Sequence, residues 1–553
     1  MTSPEPLLTK PVGGYHGVTV EFPTLQMNLA YEEGKISPDR GYPRFVQHPD
    51  VRRLEEQARQ EYHGSSALAF TSVESCLYVV LENSFNKDVR SLYVGEGLPK
   101  EIYKFLVGSA GTITPLSPRE RADVAIINIE AEEKLSEKAK RRFTLGFSRD
   151  GLEREDYSLF CDAIIFSHPT EAAGILVLYT QDYEAYHLLR RHTGFNLSSR
   201  RAQRLLNMKS PSATPTTSLS KKIASLEKTD QENCLLYPSG MAAIFSSITA
   251  CWTPQRQKLV MLGYAYVDTL CILEKWPARR GTAETAFIDV DDIKKLEDAV
   301  DSRTAAVISE IPTNPLLRVP DLEKAALIAH EGGSRLIVDS TIATPYNINP
   351  FDYEADIVVH STTKFLNGLN NHMGGVVLTR DPMLLSKLTR FQSMTNAHMD
   401  QEDAVVLEGN LEGFNRRMET INANAAAVAR YLSDHPKIRK VYYPTLEDHP
   451  DRIMAGKYMP RGCSGVVSFV LKQSNLENAE AFYDNLGDPV IKGPSLGAEQ
   501  SLLCPYTILA HYKDSAEKRA RMGLDFYLFR ISVGTESLSA IIEALGKALE
   551  CAN

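Results

Sequence analysis

The sequence predicts an α/β fold with a mostly parallel central sheet and flanking helices, and three observations lead to that prediction. Short apolar runs typical of buried strands recur after residue 220: KLVML at 258–262, TAAVISEI at 304–311, SRLIVDS at 334–340, ADIVVHS at 355–361 and GGVVLT at 374–379. Helical patterns such as DIKKLEDAV and DLEKAALIAHE lie between several of these runs. Polar residues follow the strands at once, at the sheet edge where parallel α/β proteins place their active sites.

Composition places the chain among ordinary globular proteins and argues against two classes of partner. Its 553 residues correspond to about two to four domains. Lys plus Arg is 61 and Asp plus Glu is 70, so the net charge of −9 is opposite to the basic footprint of a nucleic-acid binder. No run approaches about 18 consecutive apolar residues, so we expect no membrane partner. The N-terminus shows no basic segment followed by an apolar run, so we expect no secretory signal and a cytoplasmic protein.

The eight cysteines form neither a metal-binding nor a disulfide pattern. No two of them have CxxC spacing, and no histidine cluster accompanies them. The sequence therefore predicts reduced thiols and no metal site.

The predicted domain organisation has four parts. An N-terminal arm and helix cover 1–69, and the helix has Val51, Leu54 and Ala58 on one face. An inserted α/β module covers 70–220, with strand-like runs at 122–129, 162–166 and 174–180. It ends in the linker-like SPSATPTTS at 210–218. A large domain covers 221–400, and a smaller α/β domain covers 401–553.

The role of the inserted module stays open at this stage. We expect either structural padding at a subunit surface or an effector-binding module. ALAFTS at 67–72 loosely echoes CLLYPS at 234–239, but the match is too short to carry weight. No repeat of the solenoid kind is visible.

Three segments on successive strand–helix units carry chemistry. Lys364 lies in HSTTKFLNG, directly after an apolar strand, and a lysine amine can form a Schiff base with a cofactor aldehyde. Asp339 ends the preceding strand, and an Asp beside a pyridinium nitrogen makes that ring an electron sink. The segment YPSGMAA at 237–243 supplies a glycine turn before a helix, where backbone N–H groups bind phosphate.

These segments resemble a known family. The stretches YPSGMAA (237–243), EIPTNP (310–315), VDSTIATP (338–345), HSTTKFLNG (360–368), SLGAEQSL (495–502) and FRISVG (529–534) resemble the Cys/Met-metabolism enzymes that use pyridoxal 5′-phosphate. These are fold-type I transferases and lyases, and they include the cystathionine synthases and lyases. The resemblance covers about residues 225–553.

The resemblance implies a role for each matching residue. Lys364 and Tyr266 are the implied catalytic residues. The implied cofactor-binding residues are Gly240, Met241, Tyr266, Asp339, Thr341, Ser361, Thr363 and Lys364. The implied substrate-binding residues are Asn314, Ser495 and Arg530, whose guanidinium suits a bidentate grip on a carboxylate. The family's tyrosine motif is usually YGGT, whereas this chain has YVDT at 266–269, and Tyr264 is a rival for the role.

A further segment implies an oligomer. GYPRF at 41–45 resembles the family's Tyr-x-Arg segment, which reaches into the neighbouring subunit. Tyr42 would then lie over the neighbour's site, and Arg44 would bind the phosphate of its cofactor. Arg200, in LSSRR at 197–201, is a competing source of that arginine. The resemblance implies a homo-oligomer built as a dimer of dimers.

The insertion and PYTILAHY at 505–512 resemble the fungal cystathionine γ-synthase branch. This resemblance implies a transferase that carries out γ-replacement on O-acetyl-L-homoserine with cysteine, through a β,γ-unsaturated intermediate. Leu369 and Gln500 depart from the family pattern and leave the nucleophile open. The alternatives are a carbon nucleophile such as a β-keto acid, as in fungal secondary metabolism, a γ- or β-lyase, and a non-catalytic binder.

Overall fold

The computed structural model describes residues 5–7, 12–38, 46–85, 91–94, 114–115, 124–128, 143–148, 163–168, 170–171, 173–181, 183–211, 218–279 and 285–553. Most of the predicted linker at 210–218 therefore lies outside the described residues. Within these ranges the strands form two seven-stranded sheets, one five-stranded sheet and one two-stranded sheet.

The N-terminal residues form a small parallel pair and one short helix. The elements are β1 (Glu5–Leu7), α1 (Leu25–Glu32) and β2 (Ile36–Pro38). The hydroxyl of Thr24 accepts a hydrogen bond from the N–H of Met27 (3.2 Å), which caps α1. The N–H of Leu25 donates to Asp484 (2.8 Å), so this segment is tied to the C-terminal part of the chain.

The next unit contains the first seven-stranded sheet. Its elements are α2 (Pro49–Glu61), β3 (Ser66–Phe70), α3 (Val73–Phe85), β4 (Ser91–Val94), β5 (Thr114–Pro115), β6 (Val124–Asn128), β7 (Phe143–Ser148), β8 (Ala163–Ser167), β9 (Gly174–Leu178), α4 (Tyr183–Thr193) and α5 (Ser199–Leu206). The strand order is β3-β9-β8-β7-β6-β4-β5. The pairs β3/β9 and β9/β8 are antiparallel, and the other neighbours are parallel.

The second seven-stranded sheet is the central sheet predicted from the sequence. Its strands are β10 (Cys234–Tyr237), β11 (Lys258–Leu262), β12 (Thr285–Ile288), β13 (Thr304–Glu310), β14 (Arg335–Asp339), β15 (Ile357–His360) and β16 (Gly375–Leu378). The order is β10-β16-β15-β14-β13-β11-β12, and only the pairings of β16 are antiparallel. Every residue of β13 is buried, as expected for a strand covered on both faces.

Helices cover both faces of this sheet. They are α6 (Ser218–Leu226), α7 (Gly240–Cys251), α8 (Val267–Arg279), α9 (Ile293–Ala299), α10 (Leu322–Glu331), α11 (Thr344–Asn347), α12 (Pro382–Thr395) and α13 (Gln401–Asn410). Short 3₁₀ turns occur at Gln231–Asn233, Pro350–Tyr353 and Leu411–Gly413.

The C-terminal domain begins with the long helix α14 (Phe414–Asp434). It continues through β17 (Ile438–Tyr442), α15 (Arg452–Tyr458), β18 (Val466–Leu471), α16 (Leu476–Asp484), β19 (Ile491–Lys492), β20 (Leu502–Pro505), α17 (Tyr506–His511), α18 (Ala516–Arg521), β21 (Phe529–Ser532) and α19 (Leu538–Cys551). The five strands run in the order β17-β18-β21-β20-β19, and all neighbours are antiparallel except β19 and β20.

The predicted fold class is confirmed: a mostly parallel central sheet, a smaller C-terminal α/β domain and an additional N-terminal α/β unit. The four-part division at residues 69, 220 and 400 stays a prediction. One continuous apolar core joins the first unit to the central sheet, with Tyr78 and Phe195 packed against Phe245 and Phe391. None of the helices in the described ranges has the length and apolarity needed to cross a membrane.

Candidate active site

A large cleft opens at the carboxyl ends of β13, β14 and β15, and its lining comes from the N-terminal unit, the central-sheet domain and the C-terminal domain. It encloses about 1160 Å³, counting the space open to solvent at its mouth. Its lining contains eleven of the thirteen residues predicted from the sequence: Gly240, Met241, Tyr266, Asn314, Asp339, Thr341, Ser361, Thr363, Lys364, Ser495 and Arg530. The other two, Tyr42 and Arg44, lie outside the described residues.

The turn between β10 and α7 forms an anion-binding corner. Ser239 caps α7, because its hydroxyl accepts a hydrogen bond from the N–H of Ala242 (3.0 Å). A Cβ atom on Gly240 would lie 2.7 Å from the Cβ of Ser361, so only glycine lets the turn approach Ser361 this closely. The first backbone N–H groups of α7 have no partner within the helix and carry its positive dipole end, which together favour a phosphate.

Asp339 stands at the end of β14, on the floor of the cleft. Its carboxylate accepts a hydrogen bond from the N–H of Thr341 (3.0 Å), and the hydroxyl of Thr341 accepts from the N–H of Ser361 (2.8 Å). Desolvation raises the pKa of Asp339 above its ordinary value. A protonated ring nitrogen placed here would supply the missing positive charge.

Lys364 also lines the cleft and lies in the segment that follows β15. Its Nζ donates to the hydroxyl of Ser495 (2.9 Å), which fixes the direction of the amine. Ser495 itself has a φ of 102°, in the left-handed region that side chains rarely adopt. Strained backbone of this kind persists where the surroundings over-determine it, and it clusters at functional sites. Thr363 lines the cleft, and its hydroxyl is bonded to the backbone of Gly374.

Arg530 projects from β21 and is 6% exposed. One of its terminal nitrogens donates to the side-chain oxygen of Asn314 and the other to the carbonyl of Ser495, both at 3.0 Å. Its Nε has no hydrogen-bond partner among the residues that the structure describes. Tyr506 completes this corner: its ring lies 4.8 Å from the guanidinium carbon, and its hydroxyl accepts from Asn314 (3.0 Å). A buried cation with a spare donor suits a substrate carboxylate.

Tyr266 lies in the cleft, whereas the rival Tyr264 does not line it. The hydroxyl of Tyr264 points to the backbone carbonyl of Arg521 (3.4 Å). The N–H of Tyr266 donates to Glu310 (2.7 Å), and its hydroxyl donates to Asp268 (3.2 Å). Asp268 replaces a glycine of the family motif, and here it anchors the tyrosine hydroxyl.

Sequence reasoning assigned no role to several further lining residues, among them Arg191, Asn196, Asp268 and Tyr506. Arg191 grips the carboxylate of Asp268 with two nitrogens, one of them Nε at 3.0 Å. The one available signal was the departure of YVDT from the usual motif. Arg200, the competitor proposed for the phosphate contact, pairs instead with Asp403 (2.6 Å) and does not line the cleft.

One group of side chains has the composition of a metal site. Ligand atoms of His192, Asp268 and Cys271 lie within 4.8 Å of one another. Arg191 already binds the carboxylate of this group through two N–H donors, so we assign Asp268 to the ion pair. The expectation that the site uses no metal stays a prediction.

Glu310 is a buried acid that the sequence analysis left without a role. Burial raises its pKa well above the ordinary value, and the neighbouring Asp339 adds to the rise. The raised pKa favours the protonated form of Glu310. The floor of the cleft then carries less negative charge than its two carboxyl groups suggest.

Replacing Glu310 by Gln should stabilise the cofactor-free protein, increasingly so as the pH rises. The native state holds a proton that the unfolded chain loses above pH ~4.5, so the stability of the wild type falls as the pH rises through that value. The gain should be larger at pH 8 than at pH 4, where the native and the unfolded chain both hold the proton. Thermal melts at both pH values measure it. The exposed Glu297→Gln is the control, and a gain that does not depend on pH contradicts the assignment.

The side chains in the cleft fit pyridoxal 5′-phosphate. A lysine amine, a buried carboxyl group, a glycine turn at a helix N-terminus and a buried arginine face one space. These are the groups needed for the aldehyde, the ring nitrogen, the phosphate and an amino-acid carboxylate. Among the described lining residues Lys364 is the only lysine.

Comparisons with known proteins also indicate an enzyme that uses pyridoxal phosphate. A family model described as "Cys/Met metabolism PLP-dependent enzyme" matches residues 189–550. A cystathionine gamma-lyase of Bacillus subtilis is 34% identical over 361 residues, which is 65% of this chain and 90% of that protein. A cystathionine gamma-synthase of Neurospora crassa is 37% identical over 333 residues, 58% of this chain and 52% of that protein. The solved cystathionine gamma synthase of Xanthomonas oryzae, in complex with cystathionine, superposes with a TM-score of 0.57 at 30% identity, covering 60% of this chain and 84% of that one.

Proposed function

The chain belongs to the Cys/Met-metabolism enzymes that depend on pyridoxal phosphate, and from this premise we propose that it joins cysteine to O-acetyl-L-homoserine by γ-substitution. The supporting observation is that Lys364, Asp339 and Arg530 converge on one cleft. The similarity to the Neurospora crassa cystathionine gamma-synthase supports substitution over other reactions of the family.

The cofactor, when bound, supplies an electron sink for charge that develops at the α-carbon of the substrate. The chain supplies the rest. Arg530 and Asn314 bind the α-carboxylate and thereby place the α-hydrogen beside Lys364. The Nζ of Lys364 takes the α-proton and later a β-proton, which lets the γ-acetoxy group leave as acetate. The cysteine thiol then adds at the γ-carbon, and Lys364 returns the protons.

Neighbouring side chains hold these groups in place. Ser495 orients Nζ of Lys364 through their 2.9 Å hydrogen bond. Tyr266 is held at its backbone by Glu310 and at its hydroxyl by Asp268, so its ring keeps one position over the cleft. Asp339 retains positive charge on a ring nitrogen, which keeps the electron sink effective.

Elimination is the second candidate, because relatives such as the Bacillus subtilis protein are cystathionine gamma-lyases. Both reactions share the loss of the γ-substituent and differ in whether a nucleophile is then captured. The test is a competition assay with purified enzyme and pyridoxal phosphate, read by mass spectrometry. O-acetyl-L-homoserine, cysteine and acetoacetate are supplied together.

A dominant cystathionine product supports the proposal. A dominant carbon adduct would mean that the nucleophile is a carbon acid and not cysteine. Accumulation of 2-oxobutyrate and ammonia without any adduct would identify a lyase. The Lys364→Ala variant measures the uncatalysed background.

Replacing Arg530 by Lys should weaken substrate binding more than it slows turnover. A lysine keeps the charge but loses the fork that bonds Asn314 and the carboxylate at once. We expect KM for the amino-acid substrate to rise about 10–100-fold, the range of one charge-assisted hydrogen bond, with a smaller change in kcat. Steady-state kinetics measure both, with the exposed Arg461→Lys as control. An unchanged KM would mean that the α-carboxylate of the substrate binds at another group.

A further inference from the structure

The two seven-stranded sheets share one strand order and one set of strand directions. Numbered from its own first strand, each runs 1-7-6-5-4-2-3. In each, the first two pairings are antiparallel and the other four are parallel. A helix precedes the first strand, another follows it, and a helix pair follows the last strand. We call residues 49–206 the first copy and residues 218–410 the second copy.

The strand register aligns the copies residue by residue. Phe70 pairs with Gly174 in the first copy, and Tyr237 pairs with Gly375 in the second. In both copies the pair stands at the end of the first strand and the start of the last strand. Phe70 is therefore equivalent to Tyr237, and Gly174 to Gly375.

The turn after the first strand has the same geometry in both copies. Ser72 and Ser239 occupy the same place, and each hydroxyl accepts a hydrogen bond from the backbone N–H three residues on (2.9 and 3.0 Å). A Cβ atom on Gly174 would lie 2.2 Å from the carbonyl oxygen of Ser72. One on Gly375 would lie 2.3 Å from that of Ser239. Two copies of one domain explain such a match.

The first copy has lost the cofactor-binding groups. Val73 stands where the second copy has Gly240, so a branched side chain replaces the glycine of the phosphate corner. Phe147 stands where the second copy has Asp339, according to the register with the neighbouring strand. The carboxylate for a ring nitrogen is therefore missing.

The lysine is missing too. The sixth and seventh strands are joined by residues 361–374 in the second copy, the segment that carries Lys364. The equivalent connection in the first copy is residues 168–173, HPTEAA, which is shorter and contains no lysine. The first copy thus retains the fold and lacks the chemistry.

The copies face each other as the two subunits of a symmetric dimer would. Tyr78 and Phe245 occupy equivalent positions in α3 and α7, and their rings pack against each other at 6.0 Å. Helix α3 packs on α12, and its equivalent α7 packs on α4, the equivalent of α12. Contacts exchanged in this way are the mark of a twofold interface.

Hydrogen bonds across the interface are exchanged as well. The hydroxyl of Ser72 donates to the carbonyl of Thr395, at the end of α12 (2.8 Å). The hydroxyl of Ser239 donates to the carbonyl of Gly194, at the end of α4 (2.8 Å). The cap that positions the phosphate corner of the second copy is therefore tied to the first copy.

Charge distinguishes this interface from that of a true homodimer. The equivalent helices α5 and α13 meet across it, and α5 is basic where α13 is acidic. Arg200 pairs with Asp403 (2.6 Å), and Arg204 pairs with Asp400 (2.7 Å) and Glu402 (2.8 Å). In a symmetric pair of second copies, α13 would face its own acidic side chains, and like charges would repel.

The first copy also contributes to the cleft. Arg191, at the end of α4, lines it and grips Asp268, which is 1% exposed and holds the hydroxyl of Tyr266. Asn196 lines the cleft from the same side. Without Arg191 the buried carboxylate of Asp268 would lose the two N–H donors of this ion pair, and that loss costs free energy.

We propose that residues 49–206 are a catalytically silent second copy of the cofactor-binding domain, which occupies the place of a dimer partner within the same chain. Arg191 is then a positioning residue that acts on Tyr266 through Asp268. Each chain has one cofactor site, and that site is completed without a second chain.

The first test counts the cofactor. The full-length protein is saturated with pyridoxal phosphate and desalted, and the cofactor released by alkali is measured against the protein concentration. The proposal expects one cofactor per chain, and loss of the visible absorption of lysine-bound cofactor in Lys364→Ala. Two cofactors per chain, or visible absorption that survives in the variant, would overturn it. This count does not depend on which nucleophile the enzyme uses.

The second test asks whether the site is completed within one chain. Two full-length chains, Lys364→Ala and Arg191→Glu, are co-expressed with different tags and purified through both. Alone, Arg191→Glu should lower the affinity for the cofactor at least about tenfold, because it sets a second carboxylate beside Asp268. Arg191→Lys should restore part of that loss, and the exposed Arg52→Glu is the control.

If each cleft is completed by its own chain, each cleft in the doubly purified sample keeps the defect of that chain. We therefore expect no recovery of cofactor affinity or visible absorption. Failure to obtain a mixed oligomer would also support the proposal, because a lone chain that binds the cofactor completes its own site. Recovery to about half of the wild-type signal would mean that the first copy reaches into a neighbouring chain. Unchanged affinity in Arg191→Glu would remove the positioning role.

Discussion

Replacing Lys364 by Ala should abolish turnover. The variant loses both the amine that holds the cofactor and the base that moves the α- and β-protons, and no other lysine among the described residues lines the cleft. General acid–base catalysis alone contributes about 10²–10⁴-fold, so we expect kcat/KM to fall by at least about 10³-fold. Product formation from O-acetyl-L-homoserine measures the loss, and the cofactor's visible spectrum should change with it.

The control is Lys387→Ala, which removes an exposed lysine of α12 and should leave the rate unchanged. Folding of the Lys364 variant is checked by its thermal melt without cofactor, since the substitution removes the hydrogen bond from Nζ to Ser495. If a folded Lys364→Ala variant kept wild-type turnover, another amine would have to hold the cofactor, and the assignment of the cleft would be wrong.

Replacing Gly240 by Val should abolish cofactor binding while leaving most of the fold intact. The substitution installs the residue that the first copy carries at the equivalent turn. Its Cβ would meet Ser361, with the Cβ of that residue 2.7 Å away and its Cα 3.1 Å away. The turn must then move away from Ser361, which opens the phosphate corner. We expect the affinity for pyridoxal phosphate to fall at least about 100-fold, because a phosphate held by charge-assisted hydrogen bonds loses several of them.

Equilibrium dialysis or absorbance titration with the cofactor measures the affinity. Gly456→Val is the matched control, since a Cβ there meets no atom within 4 Å and the residue is exposed on α15. Overpacking of this kind costs about 1–3 kcal/mol of stability, so a lowered melting temperature is expected in Gly240→Val. A variant that binds the cofactor with wild-type affinity contradicts the placement of the phosphate.

Much of the cleft could be predicted from local sequence. Asp339 and Lys364 each follow an apolar strand, and neighbouring parallel strands bring their ends together whatever lies between them in the chain. The glycine turn at 239–241 precedes a helix, and this local pattern is enough to predict a phosphate-binding turn. Ser495, Asn314 and Arg530 carry no such local pattern, and only the resemblance to a family pointed to them.

What could not be predicted depends on contacts between distant segments. Arg191 is one arginine of an ordinary amphipathic helix, and its partner Asp268 lies far along the chain. Tyr506 acquires a place in the site only because β20 and β21 pair, which brings it over Arg530. No pattern within either segment encodes such a meeting.

The α/β character of the N-terminal unit was predicted, but its likeness to the second copy was hidden for a different reason. Its strands are short, and the residues that would mark a cofactor site have been replaced. Only the turn positions kept their chemistry, because Ser72 and Gly174 still have to fit together. The echo between ALAFTS and CLLYPS is the trace of that fit in the sequence, and six residues are too few to be recognised without the sheets.

The pairing of basic α5 with acidic α13 affects how this protein can change over generations. In a symmetric assembly each substitution appears on both sides of the axis at once, so a charge reversal meets its own copy. Here the two sides are encoded separately, and a change at Arg200 or Arg204 can be compensated at Asp403 or Asp400. We expect these positions to covary among relatives that contain both copies. We expect the residues at the strand ends of the first copy to vary without such coupling.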